Sequence, residues 1–409
     1  MTHAHRSTRS RARPTRLALR LLAASAPFLL PIASAQDIAL DRVMLDLAAH
    51  RTNIGLLEIN TDSIVYTEAS GLVRTARLSD LAAVYAPLPA PPLDPAAAWI
   101  ELTDGQRFIG QLAPGGENAD GVGWDSPIFG PLHFPLDLVR AIVLDQNAAR
   151  PTDIGADDTL VLRNGDVLTG FIEHIGPFAE IDIGGRPVSV PIDRVAVAIF
   201  SNEPRHRAGL FVWLADGTIA RVVSLRTDGS LVELARPPAH PDTEANAVAP
   251  ARRVPMSQLL AVVADAAVII PLASITPVAQ PASPERRWTP PARFGSPLGQ
   301  PLDAATIELP GPMRIEWLLP PGTRSLIFDA LLPEHSRTWG DCEIVVAAHA
   351  PGLDRELSRV RLFDLHPSAT VIARFPPEAR RVSITLEPGR FGPAQDRALL
   401  RGALLLIEP

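Results

Sequence analysis

The sequence predicts an all-β protein, in which tandem small SH3-like or Sm-like β-barrel repeats are followed by a C-terminal β-sandwich of the jelly-roll kind. Three observations predict this fold class. Short apolar segments alternate with polar ones, Asp-Gly and Asn-Gly dipeptides recur at a regular spacing, and 42 of the 409 residues are proline. Proline interrupts helices and removes a backbone donor, so its abundance favours strands joined by loops.

Three hairpins organise the first two thirds of the chain. In each, an apolar strand runs into a two-residue turn and a second strand follows; the turns are Asp104-Gly105, Asn164-Gly165 and Asp216-Gly217. Such dipeptides are the strongest short-range hairpin signal, and we expect both central residues to have positive φ. A catalytic role for the turn aspartates is the alternative, but turn geometry is the favoured interpretation.

Each hairpin unit also ends in the same way. The last segment of each unit begins with a proline or a leucine and continues into an apolar run. These segments are 78–84, 135–142, 191–199 and 255–262. The first of them closes an earlier, degenerate unit that lacks the Asp-Gly or Asn-Gly turn. A period of roughly 50–60 residues suits small, strongly bent barrels. The four units could be separate beads or could pair their edges into one array, and the sequence leaves both open.

The composition along the chain sets the expected domain boundaries. They are a leader at 1–35, repeats at 36–85, 97–146, 157–201 and 208–265, a linker strand with a Pro-rich linker at 266–291, and the jelly roll at 292–409. A first Pro-rich linker at 86–95 and a polar insertion at 237–250 interrupt the repeats.

The first 35 residues are typical of a secretory signal peptide. Six arginines precede the apolar segment 21–32, and Ala33-Ser34-Ala35 is a small-residue cleavage site. We expect cleavage near Ala35 and export to the periplasm, the cell surface or the medium, with no transmembrane span in the mature chain. An uncleaved anchor is the alternative, but the apolar segment is shorter than the ~20 residues that a span takes.

The charge of the mature chain argues against a nucleic-acid partner. Removing the first 35 residues, which carry six Arg and no acidic residue, leaves 32 basic against 45 acidic side chains. Nucleic-acid binding needs a basic surface.

The sequence offers no recognisable catalytic motif. The single cysteine, Cys342, suits a buried strand, and no His or Cys pair has the spacing of a zinc site. Glu203 and His206 flank Pro204 in a loop, so they do not share a helix face. We therefore expect a protein that is not an enzyme and binds no metal and no cofactor.

The C-terminal third contains eight strand candidates. They are separated by Pro, Gly and Asp, and lie at 305–309, 313–318, 325–331, 342–348, 358–364, 369–374, 381–387 and 398–406. Strands of this number and spacing predict a β-sandwich.

Three stretches of this region carry a family resemblance: 325–330 followed by 341–346, then 381–386, then 396–405. They resemble the NPCBM family, a carbohydrate-binding module with a galactose-binding-like jelly-roll fold that often occurs in secreted proteins beside hydrolases. The resemblance covers about the last 120 residues. It implies a polysaccharide or other glycan as partner.

A polar stretch with one aromatic side chain is the candidate ligand site. It contains His335, Arg337, Trp339 and Asp341. Sugar sites combine an aromatic ring with polar groups that hydrogen-bond hydroxyls. The alternative is that Trp339 caps the sandwich core. Among the other tryptophans we expect Trp317 in the sandwich core, and Trp99, Trp124 and Trp213 in the barrel cores.

These observations predict an exported, non-catalytic binding protein. Its jelly roll would bind carbohydrate or another cell-envelope component, and its repeats would form a scaffold for an envelope protein. Two alternatives stay open: an accessory or degenerate glycoside-hydrolase-associated protein, and a purely structural envelope protein.

Overall fold

A computed structural model of the protein describes residues 40–87, 97–113, 121–148, 156–237, 251–280, 290–392 and 396–408. They all belong to one compact unit, Ala39–Pro409. The predicted leader, its cleavage site at Ala35 and most of the linkers and of the 237–250 insertion lie outside the described residues. The domain boundaries expected from the sequence stay a prediction.

Strands form nearly all of the regular structure, so the predicted all-β class is confirmed. The helices among the described residues are 3-10 turns of three residues: Leu78–Asp80, Leu136–Leu138, Ile192–Arg194, Met256–Gln258, Ala266–Val268, Leu272–Ser274, Pro301–Asp303 and Glu334–Ser336. None of the helices in the described part of the chain has the length and apolarity needed to cross a membrane.

The first 21 strands fall into four groups with a common order. The first group is β1 (Arg42–Asp46), β2 (Arg51–Ile59), β3 (Ser63–Thr67), β4 (Val73–Arg77) and β5 (Leu81–Tyr85). The second is β6 (Ala98–Leu102), β7 (Arg107–Leu112), β8 (Gly121–Ser126), β9 (Gly130–Pro135) and β10 (Val139–Val143). The third is β11 (Asp158–Leu162), β12 (Val167–Ile175), β13 (Phe178–Asp182), β14 (Pro187–Pro191) and β15 (Val195–Ile199). The fourth is β16 (Phe211–Leu214), β17 (Ile219–Arg221), β18 (Ser224–Asp228), β19 (Leu231–Ala235), β20 (Arg252–Pro255) and β21 (Leu259–Val263).

Each group has the strand order of an SH3-like barrel. The strands before the 3-10 helix pair antiparallel in order, except that β17 and β18 do not pair with each other. The last strand, after the 3-10 helix, returns to pair with the first, as β5 does with β1 and β15 with β11. The pairings among the described strands do not close any group into a complete barrel. The reason is that the last strand of each group uses its second edge to pair with another repeat.

The second strand of each repeat bends from one sheet into the next. Val167–Gly170 of β12 pairs with β11, whereas the residues after Gly170 pair with β13. A Cβ on Gly170 would lie 2.1 Å from the carbonyl oxygen of Asp182, and a Cβ on Gly110, at the same place in β7, would lie 2.1 Å from that of Asp125. The fourth repeat has Val222 at this position, and its strand is split there into β17 and β18.

The Asp-Gly and Asn-Gly turns differ in detail from the expectation. Gly105, Gly165 and Gly217 have positive φ, but the preceding Asp or Asn residues do not. The side chains of these residues instead accept hydrogen bonds from the backbone two residues on, as Asp216 Oδ1 does from the Thr218 N–H at 2.9 Å. The turns are therefore three-residue connections with a single glycine in the left-handed region, and the aspartates act in turn geometry.

The repeats pair their edges instead of standing apart. The last strands of the first and fourth repeats pair with Val84 opposite Val262, and those of the second and third pair with Ile142 opposite Ala198. A further pairing of β7 with β17 joins the two pairs of repeats. Of the two arrangements that the sequence left open, the structure adopts the continuous array.

The tryptophans of the repeats lie on different faces of this array. Trp124 is fully buried in the core that all four repeats share, as predicted. Trp99 and Trp213 are also buried, but on the opposite face of the sheet, so the expectation of barrel cores was wrong for them. Trp213 belongs to a cluster with Ile327 and Leu404 of the sandwich, because the shared sheet packs face to face on the C-terminal region.

The C-terminal strands form two antiparallel sheets. They are β22 (Ile269–Pro271), β23 (Arg293–Phe294), β24 (Ile307–Leu309), β25 (Met313–Leu318), β26 (Thr323–Leu331), β27 (Asp341–Ala350), β28 (Leu353–Phe363), β29 (Ser368–Arg374), β30 (Arg381–Pro388) and β31 (Ala398–Ile407). One sheet has the order β23-β24-β31-β26-β29, with β22 paired to β31, and the other has the order β25-β30-β27-β28. All eight strands predicted for the jelly roll are present.

The two sheets enclose one apolar core. Trp317 and Phe328 are fully buried in it, and Cys342 lies there as a buried thiol. Leu272, which follows the predicted linker strand, is buried in the same core, and that strand is β22. The segment expected to be a linker strand therefore contributes an edge and a core residue to the sandwich.

Candidate functional site

Four connections cross from one sheet of the sandwich to the other at the same end. β24, β26, β28 and β30 end there and β25, β27, β29 and β31 begin there. Leu331 lies opposite Ser368 and Leu399, Asp341 lies opposite Phe363, and Leu309 lies opposite Ala398. The connections are 310–312, 332–340, 364–367 and 389–397. We call this end the sandwich tip, and it contains all four predicted site residues.

Exposed apolar side chains collect at the sandwich tip. Trp339 is 55% exposed, Phe391 is 47% exposed and Leu365 is 78% exposed. Single exposed apolar residues need no explanation, but three of them on neighbouring loops indicate a surface available for contact.

Trp339 and Phe391 form an edge-to-face pair, with ring centroids 5.9 Å apart and an interplanar angle of 83°. The guanidinium of Arg390 lies 5.5 Å from the centre of the Phe391 ring. Aromatic pairs in this geometry are favourable because the electropositive edge of one ring meets the electronegative face of the other. The pair, which we call the aromatic pair, therefore holds its shape while much of both rings stays in solvent.

Local backbone geometry sets Trp339 in this position. The Gly340 N–H donates to the Ser336 carbonyl at 2.6 Å, which folds the loop back over the 3-10 helix Glu334–Ser336. A Cβ on Gly340 would lie 2.5 Å from the same carbonyl oxygen, so only glycine allows this approach. The tight return leaves the residue before it, Trp339, pointing to the outside.

Asp341 holds the start of the 389–397 connection, which carries Phe391, through hydrogen bonds. Its carboxylate accepts hydrogen bonds from Arg361, Nε to Oδ1 at 2.7 Å and Nη2 to Oδ2 at 2.6 Å, and from the Arg390 N–H at 3.0 Å. The Arg361 hydrogen bonds hold the pKa of Asp341 below its usual range. Asp341 is only 3% exposed, so the structure gives it a positioning role. Direct ligand contact by Asp341 stays a prediction.

His335 and Arg337 lie at the surface of the 332–340 loop. Both side chains are exposed, and the Arg337 N–H donates to the Glu334 carbonyl at 3.2 Å. Within the described residues no carboxylate lies within 4.0 Å of the Arg337 or Arg390 guanidinium. The sandwich tip thus combines the aromatic pair with two guanidinium groups that have no ion-pair partner in the described part of the chain.

Sequence reasoning found Trp339 but missed Arg390, Phe391 and Leu365. Phe391 stands between Gly389 and Gly392 in a stretch that the sequence marks only as a polar loop. An aromatic residue flanked by glycines in such a loop is the signal that could have found it, since it has no strand neighbours to pack against. Its partner, 52 positions earlier in the chain, is visible only in the folded structure.

A serine–histidine–aspartate chain occurs on the outer face of the second sheet. His349 Nε2 lies 2.8 Å from Ser383 Oγ, and His349 Nδ1 lies 2.9 Å from Asp354 Oδ1. Arg314 Nη2, which can only donate, lies 3.3 Å from the same Nε2. Nε2 is thus approached by Arg314 and Ser383, and Nδ1 faces the Asp354 carboxylate. Ser383 is 1% exposed, so its hydroxyl is not open to a substrate.

The remaining candidate nucleophile is also buried, and the candidate metal ligands lie apart from one another. Burial raises the pKa of Cys342 to about 12, which keeps the thiol protonated and unreactive near neutral pH. In the described part of the chain, no group of three or more His, Cys, Asp and Glu side chains is arranged to hold a metal ion.

Comparison with known proteins does not establish a family for this chain. No family model and no curated protein matches the chain. The similar solved structures include CBM51 from Clostridium perfringens GH95 in complex with methyl-galactose, with 7% identity, a TM-score of 0.26, and coverage of 34% of this chain and 99% of that one.

Two multidomain structures align over more of the chain. Tandem CBM51 modules of the family 98 glycoside hydrolase from Streptococcus pneumoniae give 10% identity and a TM-score of 0.28, with 84% of this chain and 88% of that chain covered. The CBM51-2 and INT domains of Clostridium perfringens ZmpB give 8% identity and a TM-score of 0.28, with 48% and 43% covered. At these scores the alignments support no conclusion about the ligand. Any conclusion about the ligand has to rest on the residues of the site.

Proposed function

We propose that this chain is an exported, non-catalytic glycan-binding protein. Its C-terminal sandwich, an NPCBM-like module, binds a carbohydrate on the aromatic pair Trp339–Phe391 at the sandwich tip. Its repeats form a rigid scaffold that presents the module and offers a surface to an envelope protein.

The exposed aromatic pair is the observation that carries this proposal. A pyranose ring has an apolar face of C–H groups that stacks on an aromatic ring, and hydroxyls around its edge that need hydrogen-bond partners. Trp339 supplies the ring, while Arg337 and Arg390 supply donors that no described carboxylate already occupies. The hydrogen bonds from Gly340 and to Asp341 fix both loops, so little conformational entropy is lost on binding.

The size of the surface favours a small rigid ligand over a protein partner. Three apolar side chains on loop ends, with two guanidinium groups beside them, make a narrow platform. A stable protein interface needs about 800 Å² on each partner and a continuous apolar centre. A sugar ring needs only one ring face and a few donors.

The non-catalytic part of the proposal rests on the placement of the reactive groups. Ser383 and Cys342 are both buried, so neither side chain is open to a substrate. The exported part rests on the leader-like sequence at 1–35.

The proposal is tested by affinity electrophoresis of the whole protein through gels that contain galactan, xylan, β-glucan or soluble chitin fragments. We expect retardation by at least one polysaccharide, and a loss of about tenfold in affinity for Trp339→Ala and for Phe391→Ala. A matched control is Phe171→Ala, because Phe171 is also an exposed ring, 66% exposed, on β12 of the third repeat.

Retardation that Trp339→Ala and Phe391→Ala both retain in full would place the glycan site elsewhere. Loss of retardation in the Phe171→Ala control would show that the effect is one of general surface stickiness.

A further inference from the structure

A second feature lies in the repeats, far along the chain from the sandwich tip. Arg236 directly follows β19 of the fourth repeat, and its guanidinium carbon lies 4.3 Å from the centre of the Phe108 ring and 5.2 Å from that of Phe129, both in the second repeat. Phe108 also stacks on Phe134, with centroids 5.2 Å apart. A cation of one repeat is therefore buried against an aromatic cluster of another.

The charge on Arg236 has no described carboxylate in direct contact, and the attraction of Asp104 acts on it over a longer distance. The side chain is 6% exposed, no described carboxylate lies within 4.0 Å of it, and its Nε has no hydrogen-bond partner. Burial lowers the pKa of Arg236 to about 10, which still leaves the guanidinium charged at neutral pH. Buried charges in proteins are almost always paired, because an unpaired one is costly to desolvate.

The nearest acid is already engaged. Asp104 accepts hydrogen bonds from the backbone N–H of Gln106 at 3.3 Å and from the Gln106 side-chain amide at 2.9 Å. The carbonyl oxygen of the same Gln106 amide accepts from the Arg221 N–H at 3.0 Å. These contacts fix Asp104 within its turn, so the Arg236 guanidinium keeps unused donor capacity.

Arg236 faces a cleft of about 350 Å³ whose charged lining residues are mostly basic. We call it the Arg236 cleft. Arg205, Arg221 and His206 line it together with Arg236, and Asp104 is the one carboxylate among its lining residues. Arg205 also lies 3.5 Å from the Asp137 carboxylate, whereas no described carboxylate lies within 4.0 Å of Arg221 or Arg236. In a chain with 45 acidic residues, a cleft with three guanidinium groups and one lining carboxylate is a local reversal of charge.

We propose that the Arg236 cleft binds a compact oxyanion, with Arg236 at its floor and Arg221 and Arg205 at its mouth. Planar guanidinium groups donate in pairs to carboxylate, sulfate and phosphate oxygens, which is the chemistry these three groups share. The cleft volume fits a small ligand or the charged end of a larger one. This site is independent of the glycan site proposed at the sandwich tip.

The experiment is thermal unfolding and isothermal titration of the whole protein at constant ionic strength. The probes are sodium sulfate and a short oligomer of glucuronic acid, with sodium chloride as the reference. We expect a saturable rise in Tm with at least one oxyanion probe and none with chloride. Sulfate binding would show that a free anion is sufficient as the ligand. Binding of the oligomer alone would show that the ligand is a carboxylate on a larger molecule.

Two variants separate binding from folding. Arg236→Gln should abolish the rise, but it also removes the contact with Phe108 and can lower stability by itself. Arg221→Gln alters an exposed side chain at the mouth, so it should leave the Tm in chloride unchanged and weaken oxyanion binding about tenfold. Arg226→Gln, an exposed arginine of β18 outside the cleft, is the matched control.

Equal Tm values in sulfate, glucuronate and chloride would overturn the proposal and leave Arg236 as a cation–π contact between repeats. So would an Arg221→Gln protein that binds the oxyanion as well as the parent.

Discussion

The Arg361 guanidinium closes on the Asp341 carboxylate with two hydrogen bonds of 2.7 and 2.6 Å, and the same carboxylate accepts from the Arg390 N–H. One buried carboxylate thereby joins β27, β28 and the loop that carries Phe391. Because the ionised carboxylate accepts all three hydrogen bonds, we expect the stability of the sandwich tip to depend on pH.

We expect Asp341→Asn to lower the free energy of unfolding at neutral pH and to flatten its dependence on acid pH. The folded-state pKa of Asp341 is depressed, so its contribution is complete above the unfolded-state pKa of about 3.9 and is lost as pH falls through the folded-state pKa. Urea unfolding of the parent and the variant between pH 7 and pH 2.5 measures this. Parallel pH profiles for the two proteins would contradict the assignment.

Truncation of two tryptophans of the sandwich should change the free energy of unfolding by very different amounts. Trp317 is fully buried, so Trp317→Ala should cost about 3–5 kcal/mol of stability through the cavity it leaves. Trp339 is half exposed, so Trp339→Ala should stay within about 0.5 kcal/mol of the parent. Chemical unfolding of both variants makes the comparison. A large loss for Trp339→Ala would favour the alternative in which this ring caps the core.

The strand pattern of the sandwich was predictable because apolar segments are separated there by Pro, Gly and Asp residues, even where a strand such as β26 is buried on both faces. The repeats were harder, and Trp99 and Trp213 show why. Strands such as Val195–Ile199 and Leu259–Val263 are buried at every residue, since they pack on both faces of the shared sheet. Alternation then vanishes, and nothing in the sequence tells which face a large residue occupies.

Two further features were not predictable for a related reason. They are which repeat edges pair with each other and which rings form the aromatic pair. The pairing of Val84 with Val262 and the meeting of Trp339 with Phe391 join segments that are distant in the chain. Any apolar edge strand could satisfy the backbone of β5, and any exposed ring could reach Trp339. Shape, set by the whole fold, selects among them.

The bend glycines should be intolerant of even a methyl group. Gly170→Ala would place a Cβ 2.1 Å from the Asp182 carbonyl oxygen, and we expect a cost of about 1–3 kcal/mol from the displaced strand. Gly229→Asn is the control, because Gly229 has φ +63° with nothing within 4 Å, and asparagine adopts this conformation readily. Thermal unfolding compares them, and an unaffected Gly170→Ala protein would show that the second strand bends without needing glycine.

The Ser383–His349–Asp354 chain should be structural. Removing the hydroxyl in Ser383→Ala takes a hydrogen-bond partner from the 6% exposed His349, so we expect a loss of about 1–3 kcal/mol in stability. We expect no hydrolysis of p-nitrophenyl esters by the parent above the rate of the heat-denatured protein. Ester hydrolysis by the parent that Ser383→Ala abolishes would contradict the non-catalytic proposal.

The segment before the sandwich should be part of its stable fold. β22 pairs with Leu404–Leu406 of β31, Leu272 fills the core, and Val278 and Ala279 hydrogen-bond to Glu316 at the edge of the second sheet. A fragment 292–409 lacks all of these contacts, whereas a fragment 266–409 keeps them. Both fragments expose the same outer face at Ile327, which the repeats cover in the whole protein, so that effect cancels in the comparison.

We expect the longer fragment to unfold at the higher temperature, because losing Leu272 alone should cost about 2–5 kcal/mol. Circular dichroism during heating, at equal protein concentration, gives the two midpoints. Equal midpoints would mean that β22 adds nothing to the stability of the sandwich. The stable fold would then begin at the linker boundary expected near residue 291.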